Sequence, residues 1–149
     1  MGQGRRRPRL IAYLDSSAVA RMLLEDEAND ESASALWGAA ERVWVSRVAE
    51  PEVRAALAAA ARDRRLSLTA LQRSKGQLRV LLEQVHIMEL THDIAHHAGD
   101  LAERHRLSGF DAIHLASILA VGSQAVVVTF DRRLAAAVMA EGLVLAVSG

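Results

Sequence analysis

Leu10-Ile11-Ala12-Tyr13-Leu14-Asp15-Ser16-Ser17 is the stretch on which the reading of this chain turns. Five apolar residues without polar alternation describe a strand covered on both faces, as in the middle of a parallel sheet. The run stops on a carboxylate and two hydroxyls, which places Asp15 at the strand's C-terminal end. In open α/β sheets that edge is where ligands bind.

Outward from this strand, apolar runs alternate with helical patterns. Ala18 to Leu24 reads as a short helix, followed by the acidic Glu25-Asp26-Glu27. Asp30 can cap a second helix to Ala40, with Ala33, Leu36, Trp37 and Ala40 on one stripe. Val43-Trp44-Val45 is a second strand, and the helix from Val48 to Arg64 after it tolerates Pro51 in its first turn. Thr69 and Gln72 have capping-box spacing for a helix reaching Leu82. Val85 to Leu90 is a more polar strand suited to an edge. Thr91 caps a helix to His105, and a Ser108-Gly109 break precedes a helix from Phe110 to Val121. Ala125 to Phe130 is the strongest β-branched run and ends at Asp131. A helix to Glu141 and a strand from Leu143 to Val147 complete the chain. The alternation predicts an α/β fold, a three-layer α/β/α domain around a mostly parallel sheet of four or five strands.

The length of 149 residues suits one domain. Residues 1–8, with Arg5, Arg6 and Arg7, read as a basic disordered tail, and residues 9–149 as the domain. No apolar run reaches the 18 or so residues needed to cross a bilayer, so no membrane role is expected and the cytoplasm is the expected location. Cysteine is absent, which excludes disulfides, thiolate metal sites and cysteine nucleophiles. The formal net charge is zero, so any nucleic-acid contact must come from a local patch.

Two strands end alike, at Asp15 and at Asp131, and a parallel sheet brings both carboxylates to one edge. Asp111, at a helix start just before the later strand, and Glu52, at the start of the helix after the second strand, reach the same rim. Helix capping accounts for any one of these acids, less readily for the two that end apolar strands. Two like charges about 5 Å apart at an effective dielectric of about 20 repel by about 3 kcal/mol, so the cluster calls for a cation or a proton. An all-carboxylate set favours Mg²⁺ or Mn²⁺, and such a site suits phosphodiester hydrolysis.

Leu14-Asp15-Ser16-Ser17-Ala18, Val48 to Leu57, Asp111-Ala112-Ile113-His114-Leu115-Ala116 and Thr129 to Leu134 together resemble the PIN domain, and more closely the VapC toxins of bacterial toxin–antitoxin pairs. The resemblance implies that Asp15, Glu52, Asp111 and Asp131 are catalytic acids holding Mg²⁺ or Mn²⁺, with Ser17 in support. It also implies a ribonuclease cutting structured RNA such as tRNA or rRNA, inhibited by a cognate VapB antitoxin, usually as a dimer. A catalytically silent PIN-like module binding RNA or a protein partner is the alternative. An aspartyl-phosphate enzyme is disfavoured because Ser17 stands where a second Asp would be needed, and a receiver domain because a late lysine is missing.

Glu50 and Glu52 both lie near a helix start and face different sides. Glu50 has Arg54 at i+4 for a surface pair, whereas Glu52, followed by Val53 and Leu57, fits the family motif better. Thr129 reads as a strand residue or as a hydroxyl assisting the site. His114, one turn beyond Asp111, reads first as a satisfied core histidine and second as an orienting group. His92, His96 and His97 lack the glutamate that a zinc-protease helix needs. No serine stands in a nucleophile-elbow context, and there is no glycine-rich phosphate loop. Arg54, Arg62, Arg64, Arg65, Arg73, Lys75 and Arg79 face a single acid, Asp63, over their stretch. They form either a solvated face or an RNA-phosphate surface, with Arg54, Arg62 and Arg65 the expected contacts and Arg5, Arg6, Arg7 and Arg9 able to add to them. The stripes on the helices 18–24 and 30–40 suit either core or a groove for an antitoxin helix.

Overall fold

The computed structural model describes residues 9–24 and 31–146, with the side chains of residues 31–34 outside it. The caps and charges expected at Arg5 to Arg7, Glu25 to Glu27 and Asp30, and the end of the last strand at Val147, lie outside the described residues. Among the described residues the order is β1 (Ile11–Leu14), α1 (Ser16–Leu23), α2 (Glu31–Ala39), β2 (Arg42–Ser46), α3 (Ala49–Arg62), α4 (Leu68–Gln84) and β3 (His86–Met88). There follow α5 (His92–His105), α6 (Gly109–Val121), β4 (Val126–Val128), α7 (Arg132–Ala140) and β5 (Val144–Leu145).

The five strands form one sheet in the order β3-β2-β1-β4-β5. Every pairing is parallel, with Tyr13 opposite Trp44 on one side and Val127 on the other. β1 is therefore central, and β3, the more polar strand, forms an edge. Chain order runs outward from β1 in one direction through β2 and β3, then returns to β1's other side at β4. The crevice at this reversal, between the carboxyl ends of β1 and β4, is where the topology leaves room for a ligand.

Alternation along β1 divides the core. Ala12 and Leu14 face a cluster with Val19 of α1, Val53 and Leu57 of α3, and Leu78 and Leu81 of α4. Tyr13 faces the opposite cluster, with Ile94 and Leu101 of α5, Leu115 and Ile118 of α6, and Leu134 and Val138 of α7. Helices thus cover both faces, giving the α/β/α layering. Each fully buried Leu or Val contributes roughly 1.5–3 kcal/mol. Ala20, Met22, Leu24, Leu36, Trp37 and Ala40 pack partly buried against the first cluster, so the stripes on α1 and α2 serve largely as core.

Most boundaries differ from the sequence reading by one or two residues, β3 spanning only His86–Met88 and α1 starting at Ser16, and two of the shifts have a visible cause. α4 starts at Leu68 because Ser67, not Thr69, caps it, its Oγ accepting from Ala70 N at 3.0 Å. The turn before it uses Arg64 at φ 58°, which lets α3 stop and α4 fold back. β4 ends at Val128 rather than Phe130, for reasons that lie in the candidate site.

Candidate active site

Past Val128 the backbone of the 125–130 run leaves the sheet because side-chain hydroxyls satisfy it instead. Ser17 Oγ accepts from Phe130 N at 2.9 Å, and Thr129 Oγ1 accepts from Asp131 N at 3.0 Å. Such side-chain bonds, one local and one from a distant segment, compete with the ladder and end the strand. The same two hydroxyls donate to Asp15: Ser17 Oγ to Oδ1 at 2.7 Å, and Thr129 Oγ1 to Oδ2. Oδ1 also accepts from Ala18 N at 2.9 Å, so Asp15 caps α1. Asp15 is 3% exposed. Burial pushes its carboxyl above the usual range, while the charge of His114 and the bonds from Thr129, Ser17 and Ala18 work against that rise.

Asp131 also caps a helix, its Oδ1 accepting from Arg133 N at 2.9 Å and Leu134 N at 3.1 Å. Both strand-ending acids are therefore caps, contrary to the reading that capping accounts for them less readily than for the other two. One oxygen of Asp131 is committed to α7, and capping leaves the charge in place at the sheet edge. Asp111 does not cap its own helix: Ser108 does, its Oγ accepting from Asp111 N at 3.2 Å. The Asp111 carboxyl is raised by partial burial, then by the charge of Asp131, with a smaller push from Asp15; the Ser108 hydroxyl and the His114 charge oppose it. Asp15, Asp111 and Asp131 thus share one electrostatic neighbourhood.

Glu52 stands beside them in a net of its own. Ser16 Oγ donates to Glu52 Oε1 at 2.6 Å, and His114 Nε2 lies 2.8 Å from the same oxygen. Ser16 Oγ and His114 Nε2 are 3.0 Å apart. Burial acts to raise the Glu52 carboxyl, but the bonds from His114 and Ser16 and the His114 charge outweigh it, leaving it below its usual value. Behind the imidazole, the Tyr13 hydroxyl lies 2.7 Å from Nδ1, and the two rings meet edge to face. Burial, with the nearby charge of Asp15, holds the Tyr13 phenol well above its usual range. Between the two acids of α3's first turn, Glu52 is the one placed in this net. Glu50 instead lines a groove between α3 and α4 with Arg54, Gln72, Lys75 and Arg79.

Ser16 and Tyr13 were not singled out in the sequence, and His114 was read first as core. His114 is indeed 1% exposed and fully bonded, but what it bonds is Glu52. The signal was present: a histidine inside the otherwise apolar Ala112 to Val121 needs a polar partner, and the nearest polar edge is the sheet's carboxyl end.

Arg54, Arg62 and Arg65 are all exposed. Arg62 ends α3, about 15 Å along the helix axis from Glu52. Arg65 is 3.6 Å from Asp63. Arg54 lines the α3–α4 groove with Glu50 and is not part of the net around Glu52. Arg9 reaches Glu41 at 3.5 Å. His92 and His96 stack on the exposed side of α5, away from these acids in sequence and element.

The donors available at the crevice are carboxylate and hydroxyl oxygens, the set a hard divalent cation prefers. Among the described residues no three His, Asp or Glu groups are gathered into a ready ligand shell. Mg²⁺ keeps several waters and is commonly held by one or two carboxylates, so the mutual repulsion of Asp111, Asp131 and Asp15 fits a hydrated cation.

An all-parallel five-stranded sheet with acids at its switch point defines the class: the chain belongs to the PIN-domain family, whose model matches residues 12–138. It is 45% identical over 125 residues to ribonuclease VapC45 of Mycobacterium tuberculosis, covering 83% of this chain and 86% of that protein. The fold is similar to that of M. tuberculosis VapC20, a sarcin-ricin loop cleaving toxin, with a TM-score of 0.64 at 23% identity over 85% of this chain and 94% of that one. It is also similar to VapBC-1 of nontypeable Haemophilus influenzae, with a TM-score of 0.63 at 16% identity over 92% and 97% of the two chains.

Proposed function

We propose that this VapC-type chain is a metal-dependent endoribonuclease toxin that hydrolyses phosphodiester bonds in structured RNA such as tRNA or rRNA. The observation that carries the reading is the coupling of Asp111 to Asp131 and Asp15 at the switch-point crevice, in a chain 45% identical to a ribonuclease. Asp15, Asp111 and Asp131 would hold Mg²⁺ or Mn²⁺, with Glu52 completing the site directly or through water. When bound, the cation supplies charge neutralisation at the scissile phosphate and a water acidic enough to attack it. Ser17 and Thr129 fix the plane of the Asp15 carboxylate, which keeps both of its oxygens aimed without rearrangement. Arg54, which lines the α3–α4 groove with Lys75 and Arg79, would meet the backbone of the RNA there. The expected products carry 5′-phosphate and 3′-hydroxyl ends.

A VapB-type antitoxin is the expected inhibitor and a homodimer the expected assembly, by analogy with the toxin–antitoxin complexes of the same fold. No helix among the described residues is long and apolar enough to cross a membrane, and the site of action we infer is the cytoplasm. The test is cleavage of total cellular RNA with Mn²⁺, with EDTA, and by Asp111→Asn in parallel. Discrete fragments that need the metal and vanish in the variant are expected. RNA bound but never cut would replace the enzyme with a silent binding module.

A further inference from the structure

We infer that His114, backed by Tyr13, is a positioning residue that holds Glu52 in the candidate active site. The inference rests on the ribonuclease reading for its kinetic consequence, and on geometry alone for the contact itself.

Glu52 sits in the first turn of α3, its side chain 26% exposed, on a flexible stem that no packing alone would fix. Two groups from other segments converge on one of its oxygens: Ser16 Oγ at 2.6 Å and His114 Nε2 at 2.8 Å. They hold Oε1, and among the described residues no bond reaches Oε2, which is left to face a ligand. The imidazole is itself immobilised. It lies on α6 inside the core, 1% exposed, and its far nitrogen meets the hydroxyl of Tyr13, a fully buried residue of the central strand. With Nδ1 engaged by the Tyr13 hydroxyl, the Nε2 proton points at Glu52. The chain Tyr13–His114–Glu52 thus links β1, α6 and α3, and Ser16 closes it beside Asp15. Partners of this kind, which touch no substrate but orient a ligating group, change activity or metal affinity by roughly 10- to 100-fold when removed.

The experiment compares wild type, His114→Ala, His114→Gln, Tyr13→Phe, Glu52→Gln and the double variant H114A/E52Q as purified full chains. RNA cleavage is read as kcat and KM, and Mn²⁺ binding by calorimetry. His114→Ala is expected to lose roughly 10- to 100-fold in kcat with KM for RNA unchanged. His114→Gln, whose amide nitrogen can occupy the place of Nε2, should recover most of that loss. The double variant should be no worse than Glu52→Gln alone, because both substitutions act through one carboxylate. Losses that multiply, or a Gln variant as poor as the Ala variant, overturn the inference. Should His114→Ala fail to fold, long-range ¹H–¹⁵N correlation of the His114 ring decides: wild type should show the proton on Nε2, and Glu52→Gln should move that signal. A ring unaffected by Glu52→Gln overturns the contact. A wild type that binds Mn²⁺ and shows the ring signature but cuts no RNA overturns the ribonuclease reading and leaves the contact standing.

Discussion

Asp15 at the end of β1 and Asp111 at the start of α6 belong to the same crevice, yet the chain holds them in opposite ways. Asp15 is buried and receives three donors, two of them hydroxyls from segments more than a hundred residues apart. The same hydroxyls end β4 by taking its backbone groups, so the carboxylate is part of how the sheet edge is tied together. Asp111 is only half-buried, and its strongest charged neighbour is another acid, Asp131, with Asp15 adding a smaller push. One carboxylate is woven into the fold, whereas the other is left in a repulsive setting that the fold does not need. Sites kept for function commonly carry such a local stability cost.

The largest stability effect is therefore expected at Asp15. Asp15→Ala would strand the Ser17 and Thr129 hydroxyls and the Ala18 amide and remove the α1 cap, a loss of about 3 kcal/mol or more in urea unfolding. Asp15→Asn keeps the shape and the oxygen that caps α1, and the Thr129 hydroxyl can turn to accept from the new amide, so about 1 kcal/mol is expected with cleavage abolished. Equal stabilities for the Ala variants at 15 and 111 would erase the contrast between the two positions. Thr129→Val tests the link from the other side. It removes one donor to Asp15 and leaves the Asp131 amide without its acceptor, for an expected loss of about 1–2 kcal/mol.

Asp111→Asn should run the other way. Removing a charge that faces Asp131 and Asp15 is expected to leave the metal-free protein as stable as wild type or up to about 1 kcal/mol more so. Saturating Mn²⁺ should reverse the order, because wild type gains about 2.7 kcal/mol at a hundredfold excess over Kd and the variant gains little. Thermal unfolding with and without Mn²⁺ measures both. An Asp111→Asn protein less stable than wild type without metal would place Asp111 with Asp15 among the structural acids.

Much of this was legible in the sequence, and what was not has a common physical cause. The unbroken apolar run Leu10 to Leu14 announced a central parallel strand, and β3's polarity announced an edge. Period and capping signals are local, so they survive reading one segment at a time. All but one of the failures are bonds between distant segments. Tyr13 counts as one apolar residue in its run, and nothing local shows that its hydroxyl meets His114, 101 residues away. β4 was read two residues too long because Val126, Val127 and Val128 favour a strand, and only Ser17 from another segment shows where the ladder stops. Ser67 outcompeted Thr69 as a cap because the left-handed turn at Arg64 sets where α4 begins, a matter of backbone geometry that residue types do not display.

Away from the crevice, Glu141 supplies the smallest and simplest case, an acid whose bonds involve no other acid. It follows α7 and takes Arg104 Nη1 at 2.7 Å and His105 Nε2 at 2.7 Å, tying α7 to the end of α5. The bonds from His105, then Arg104, hold its carboxyl below the usual value. A carboxylate whose pKa is lower folded than unfolded stabilises the protein above the unfolded value, near 4.5, and loses that contribution as pH falls through the folded value. Arg104 is largely exposed, so solvent screening keeps the contribution to about 0.5 kcal/mol at neutral pH. Glu141→Gln should therefore unfold slightly earlier in urea than wild type at pH 7, with the gap closing as pH falls below about 4.5. A gap that stayed the same on acidification would mean that Glu141 acts through its shape rather than its charge. The difference is small because water can take the place of the exposed Arg104, which it cannot do for the donors buried around Asp15.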